Sequence, residues 1–174
     1  MIVRPATSAD LHAVAELAAA TFPLACPPGL PEADIARFVA DKLSMERFSE
    51  HLATAQTQVL VAEGEHALLG YTLAFAVDPD AEVAPLIQGR PTVELSKCYT
   101  RKDVHGTGVS TALMSAVVDA AQSQHAASVW LGVNGQNLRA QRFYAKHGFA
   151  VVGERRFVVG SHTEDDLVLE RPLL

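Results

Sequence analysis

Apolar and polar positions recur along this chain with two periods, near 3.6 and near 2, and the changes of period mark its elements. Ile2-Val3-Arg4-Pro5 reads as a short strand. Thr7-Ser8-Ala9-Asp10 has the form of a capping box, with a hydroxyl and a carboxylate three positions apart. Leu11, Val14, Ala15, Ala18 and Ala19 then share one helical face. Phe22-Pro23 is expected to stop that helix, because an interior proline removes a backbone donor and crowds the preceding turn. Cys26-Pro27-Pro28-Gly29-Leu30-Pro31 is a turn-rich linker. Proline suits the first turn of a helix, so a second helix begins near Pro31 and buries Ile35, Phe38, Val39 and Leu43. A short third helix is expected from about Met45 to Ala55.

The middle of the chain alternates with period 2. Thr57 to Glu63 and Leu68 to Val77 predict a hairpin around Gly64-Glu65-His66-Ala67. Asp78-Pro79-Asp80 opens a loop reaching to Pro91, and Thr92 to Arg101 reads as a further strand. From Gly108 the period lengthens: Val109, Leu113, Ala116, Val117 and Ala120 lie on one helical face. Ser128 to Val133 is a strand, Gln136 to His147 a helix, and strands near Ala150–Val159 and Glu164–Leu169 close the chain. No internal repeat or low-complexity segment interrupts this pattern. The order predicts one α+β domain over residues 1–174, a mixed but mainly antiparallel sheet covered by helices.

Composition narrows the function classes. With 174 residues and 49% apolar content, the chain can bury a sizeable core and is not expected to be disordered. No run approaches the roughly 20 apolar residues that span a bilayer. The first residues lack the apolar block of a signal peptide, so the cytoplasm is the expected location and no membrane partner is expected. A net charge of −6 argues against a nucleic-acid partner, which would need a basic face. It is compatible with a cationic substrate, although solubility alone explains many acidic chains. Cys26 and Cys98 have no metal-ligand spacing, and none of the seven histidines forms a His-x-x-x-His pair, so no metal is expected. Glu164-Asp165-Asp166 reads as a solvated charge run, and Trp130 as core.

The segment from Glu94 through Tyr99 to Ser110 carries the first chemical signal. A strand enters a small turn, His105-Gly106-Thr107-Gly108, and an amphipathic helix opens immediately at Val109-Ser110. The first amides of a helix lack internal partners and sit at the positive end of its dipole, so they suit a phosphate. Glycine lets the backbone approach the anion. The spacing lacks the Gly-Lys-Ser/Thr of a nucleoside-triphosphate loop and the three glycines of a dinucleotide fingerprint. Taken alone, it fits a structural turn equally well. The second signal is Trp130-Leu131-Gly132-Val133, followed by Asn137, Ala140, Phe143-Tyr144 and Gly148-Phe149. Helical geometry sets Asn137 and Tyr144 on one face, two turns apart.

Together these segments resemble the GCN5-related N-acetyltransferase (GNAT) superfamily. The turn is similar to its Arg/Gln-x-x-Gly-x-Gly/Ala signature, and the second segment to its Asn…Ala-x-x-Phe-Tyr…Gly-Phe pattern. His105 stands where the superfamily has arginine or glutamine, and Ser110 where it has glycine or alanine. The tryptophan strand and the ending Asp165-Asp166-Leu167-Val168-Leu169-Glu170 look most like the bacterial spermidine/spermine N-acetyltransferase (PaiA-like) branch. The resemblance implies a GNAT fold, about seven strands flanked by about four helices. It also implies acetyl-CoA as cosubstrate and direct attack by a substrate amine on the thioester.

Carried onto these positions, the resemblance makes Tyr144 the general acid beside the sulfur. The backbone of Cys98, Tyr99 and Thr100 would pair with pantetheine, and the amides of His105, Gly106, Thr107, Gly108, Val109 and Ser110 would hold the pyrophosphate. Asn137 would contact the pantetheine or phosphate region. Glu94 is the candidate base, acting through water, or else a structural or substrate-binding carboxylate. A regular strand would set Glu94, Ser96 and Cys98 on one face, and a bulge would break that phase. Specificity is expected from Phe22 to Leu30, from the helices bearing Asp34, Asp41 and Glu46, and from the 78–91 loop. A polyamine-type small amine is the favoured acceptor. The alternatives are a peptide or protein acceptor, a non-catalytic acyl-CoA sensor, and a structural phosphate-binding module. Homodimers are common in the superfamily, and the sequence leaves the oligomeric state open.

Overall fold

The computed structural model describes residues 1–173. One seven-stranded sheet runs in the order β1-β2-β3-β4-β5-β7-β6. Its strands are β1 (Ile2–Pro5), β2 (Thr57–Glu63), β3 (Leu68–Phe75), β4 (Thr92–Thr100), β5 (Ser128–Asn134), β6 (Ala150–Val159) and β7 (His162–Pro172). All neighbours are antiparallel except β4 and β5. A parallel pair needs a crossover, and here it is helical. The five α-helices among the described residues are α1 (Leu11–Ala25), α2 (Glu32–Lys42), α3 (Met45–Ala53), α4 (Val109–Ser123) and α5 (Leu138–Lys146). No helix among the described residues is long and apolar enough to cross a membrane.

Strand alternation gives the sheet two apolar faces. Leu60 and Ala62 of β2 meet Leu113, Met114 and Val117 of α4 on one side. Val59 and Val61, one position out of phase, meet Leu17, Phe22 and Phe48 of α1 and α3 on the other. Each Val, Leu, Met or Phe side chain among these contributes about 1.5–3 kcal/mol on burial. The expected capping box is present, with the Thr7 amide donating to Asp10 Oδ2 at 2.7 Å.

Two expectations are corrected. Pro23 does not stop α1, which runs on to Ala25. Proline costs the hydrogen bond of its own missing N–H, but its fixed φ is helical, so one further turn is tolerated before Cys26. The 78–91 loop does not border the cavity described below. It lays Val83 and Ile87 over Trp130 and Val168, forming a small third core.

Candidate active site

β4 and β5 stay together only while Thr92–Glu94 pair with Ser128–Trp130. Beyond these residues the strands diverge, and β4 keeps only its β3 neighbour. The opening is a cavity of about 530 Å³ lined from β4 by Leu95, Ser96, Lys97, Cys98, Tyr99 and Thr100. A bulge lies within this stretch: Leu73 pairs with Lys97 and Ala74 with Leu95, leaving Ser96 as the extra residue. The bulge breaks the regular phase, so Glu94, Ser96 and Cys98 do not share a face. Cys98 packs toward α4, while Tyr99 packs toward α1 and Lys97 lies over the Phe38 ring. Burial pushes the Cys98 thiol up to about 12.

At one end of the cavity lies the glycine turn. Gly106 and Gly108 have φ of +81° and +95°, a left-handed backbone that favours glycine, and Gly108 caps α4. The amides of His105 and Thr107 donate to the carbonyls of Lys102 and Val104, each at 3.3 Å. Anion-binding capacity therefore falls to Gly106, Gly108 and the first amides of α4. The Val109 side chain is core, so this residue could offer only its backbone. His105, Gly106 and Ser110 line the cavity. Arg139 of α5 donates to His105 Nδ1 at 2.6 Å, which leaves the imidazole proton on Nε2, donating to the Thr100 carbonyl at 3.2 Å. Arg139 thereby sets a permanent cation beside the turn.

α5 faces this end across the cavity. Asn137 caps the helix, its side-chain oxygen accepting from the Ala140 amide at 3.1 Å, while the residue also borders the cavity. Tyr144 lines the same space and is otherwise buried, with Phe149 against its ring at 5.8 Å. Burial raises its phenol well above the ordinary value, so the hydroxyl stays protonated across the neutral range.

The far end of the cavity is charged. Lys97, Arg155, Glu164 and Asp166 line it, with Phe22, Leu30, Phe157 and Val159 as apolar wall. Burial lowers Lys97 to about 8, against the opposing field of Glu94. Burial raises Asp166 to about 6, partly offset by Arg155 and Lys97. Glu94 is not among the cavity residues. It sits behind them, 3.8 Å from Arg155, and burial raises its proton affinity.

The structure therefore gathers Cys98, Tyr99, Thr100, His105, Gly106, Ser110, Asn137 and Tyr144 around one cavity, with Thr107 and Gly108 in the turn behind it and Val109 opening α4. The end of α1 and the linker after it, from Phe22 to Leu30, supply part of the wall, through Phe22, Leu24, Ala25, Cys26, Pro27 and Leu30. Asp34, Asp41 and Glu46 do not border it, and Asp34 instead accepts from His162 at 3.0 Å. Sequence reasoning missed Lys97, Arg139, Arg155 and Asp166. The Glu164-Asp165-Asp166 run was expected to be a solvated face. Strand alternation turns Glu164 and Asp166 into the cavity and leaves Asp165 outside.

Residues 11–149 match the family described as "Acetyltransferase (GNAT) family". An uncharacterized N-acetyltransferase of Mycobacterium tuberculosis is 43% identical over 166 residues, covering 95% of this chain and 99% of that protein. Among solved structures, the PaiA N-acetyltransferase of Thermoplasma acidophilum in complex with coenzyme A superposes with a TM-score of 0.79 at 19% identity, covering 99% of this chain and 98% of that one. A putative acetyltransferase of Salmonella typhimurium with acetyl-CoA superposes with a TM-score of 0.69 at 22% identity, covering 100% and 94%. At these identities the two structures speak for a shared fold.

Proposed function

Because the chain belongs to the acetyltransferase (GNAT) family, we propose that it transfers the acetyl group of acetyl-CoA to a small primary amine by direct attack. The observation that carries this reading is the unpaired edge of β4, which runs from the glycine turn to the charged chamber past Tyr144. Pyrophosphate would sit on the amides of Gly106, Gly108, Val109 and Ser110, with Arg139 alongside. Pantetheine would extend along Cys98, Tyr99 and Thr100 as an added strand. The Asn137 amide, its oxygen already used as a cap, keeps its NH2 for the coenzyme.

The acceptor arrives as an ammonium ion and must lose a proton before its nitrogen has a lone pair. That nitrogen attacks the acetyl carbonyl carbon, the oxyanion takes a hydrogen bond from a β4 amide, and the C–S bond breaks. The nitrogen, cationic after the attack, releases its second proton to solvent, and the thiolate takes its proton from the Tyr144 hydroxyl, which solvent then restores. Glu94, with raised proton affinity, can accept the ammonium proton through water. Asp166 is the second reading for the base, favoured by its place in the cavity wall and its pKa of about 6.

A small acceptor is favoured over a peptide because the Phe22–Leu30 segment walls the chamber. The polyamine class lies within this reading, with Glu164 and Asp166 as partners for its ammonium groups. Thiol release from acetyl-CoA against polyamines, amino acids and short peptides tests it. Tyr144→Phe should cut kcat by about 10²-fold or more while sparing acetyl-CoA affinity. Unchanged turnover removes Tyr144 as the acid, and no turnover with any amine leaves a coenzyme-binding sensor. The base is whichever of Glu94→Gln and Asp166→Asn loses the acidic limb of the kcat/KM profile.

A further inference from the structure

The charged chamber is not acidic, and its cations are the groups short of partners. Arg155 is held in place on three sides. Its guanidinium lies over Trp130 at 5.3 Å and over Phe157 at 5.8 Å, and it rests against Gly132, where any Cβ would collide with it. Despite that confinement, its buried Nε has no partner. Its nearest carboxylate oxygens, on Asp166 and Glu94, stand at 3.6 and 3.8 Å, beyond hydrogen-bond length. Lys97, on β4, donates only to the carbonyl and hydroxyl of Ser96, at 3.2 and 3.1 Å. A guanidinium buried to 16% exposure is expected to fill its donors, since a buried polar group left without a hydrogen bond is costly.

We propose that the acceptor is an amino carboxylate, an α-amino acid with an apolar side chain, whose carboxylate is bound by Arg155 and Lys97. This inference rests on the small-amine reading and narrows it. Arg155 and Asp166 approach within 3.6 Å, so one compact ligand with adjacent charges can touch both. An α-amino acid carries its ammonium and carboxylate on the same carbon. The carboxylate meets the planar fork of Arg155, which suits bidentate binding. The ammonium turns to Asp166, gives up its proton there, and presents its lone pair to the acetyl carbonyl. The side chain then lies against Phe22, Leu30, Phe157 and Val159. A polyamine would instead bring further positive charge against two confined cations.

The test compares leucine, leucinamide and spermidine as acceptors in a thiol-release assay with acetyl-CoA. Leucine and leucinamide share a side chain and an amine and differ in the carboxylate. The expected result is a kcat/KM for leucine at least about tenfold above that for leucinamide, the size of one lost charge-assisted hydrogen bond. Spermidine should be slower still. Arg155→Gln should erase the leucine preference and leave the acetyl-CoA KM unchanged, which also reports that the variant is folded. Leucinamide or spermidine equal to or better than leucine overturns the proposal while leaving the acetyltransferase reading intact, and the wild-type protein alone decides this. Absence of turnover with every amine overturns both.

Discussion

Three glycines provide an internally controlled test of the coenzyme site. Gly29, Gly106 and Gly108 have φ of +90°, +81° and +95°, and a Cβ added at any of them would meet no protein atom within 4 Å. Alanine at each therefore carries the same backbone strain and no internal clash. A left-handed backbone costs an L-residue about 1–2 kcal/mol. In a chain of this size, about 2–4 °C of Tm is lost per kcal/mol, so each variant should melt about 2–8 °C lower. Only at Gly106 and Gly108 does the open space belong to the proposed phosphate cradle. There the Cβ should displace the anion and cost at least one charge-assisted hydrogen bond, about 1.5–3 kcal/mol. That corresponds to about 10- to 100-fold weaker binding. Thermal melts without ligand and calorimetric titration with coenzyme A read the two effects separately. Equal melting losses with weakened binding at Gly106→Ala and Gly108→Ala alone support the cradle. If all three variants bind coenzyme A as the parent does, the space above the turn holds no phosphate and the assignment fails.

Two further perturbations address other parts of the molecule. Gly132→Ala should push the Arg155 guanidinium aside, since a Cβ would lie 2.6 Å from its Cζ and Nε, yet the displaced group is the end of a flexible side chain. Stability should change little while the acceptor KM rises by about tenfold and the acetyl-CoA KM holds; equal losses for both substrates would remove Arg155 from the acceptor chamber. Asp10→Asn tests the link between β1 and α1, where Asp10 accepts from Arg4 at 2.8 and 2.9 Å and caps the turn. Arg4 holds the Asp10 carboxyl far below the usual carboxylate range, so its stabilisation is present above about pH 4 and is lost as pH falls further. The variant should be less stable by about 1–2 kcal/mol at pH 7, and the gap should close in acid; a gap unchanged down to pH 2 would contradict the ion pair's role.

Much of the fold was legible because its signals are local. The capping box at Thr7 and the period change at Gly108 each depend on a few neighbouring residues, and elements begin there. The site was legible where the backbone carries it, at the glycine turn and along β4. What stayed hidden depends on pairing between distant strands. Val93-Glu94-Leu95-Ser96-Lys97 alternates cleanly as a sequence, and only the register against β3 makes Ser96 the extra residue that moves Lys97 into the cavity. Arg155, between Glu154 and Arg156, reads as one charge among several on an edge strand. Its confinement comes from Trp130 and Gly132, which belong to another strand. The end of α1 was misjudged because proline's missing donor counts for less than its helical φ one turn from a terminus.

The divergence of β4 from β5 creates two environments at once. Where the strands part, the exposed edge of β4 offers backbone donors and acceptors that a strand-like pantetheine can satisfy, and such an edge is otherwise a liability. The same parting opens space between β4 and the β5–β7 pair, where Asn134 pairs with Asp166 at the rim. Filling that space with apolar side chains would extend the core. The chain instead places Lys97 and Asp166 there, and the pKa of each is displaced by burial, to about 8 and about 6. Burying such charges is costly, and a purely structural chamber gains little from them. A chamber that must hold a charged acceptor, take its proton near neutral pH and release a product with one positive charge fewer needs groups of this kind. The cost of burying these charges, with the Arg155 Nε left without a hydrogen-bond partner, is therefore an argument for the ligand that relieves it.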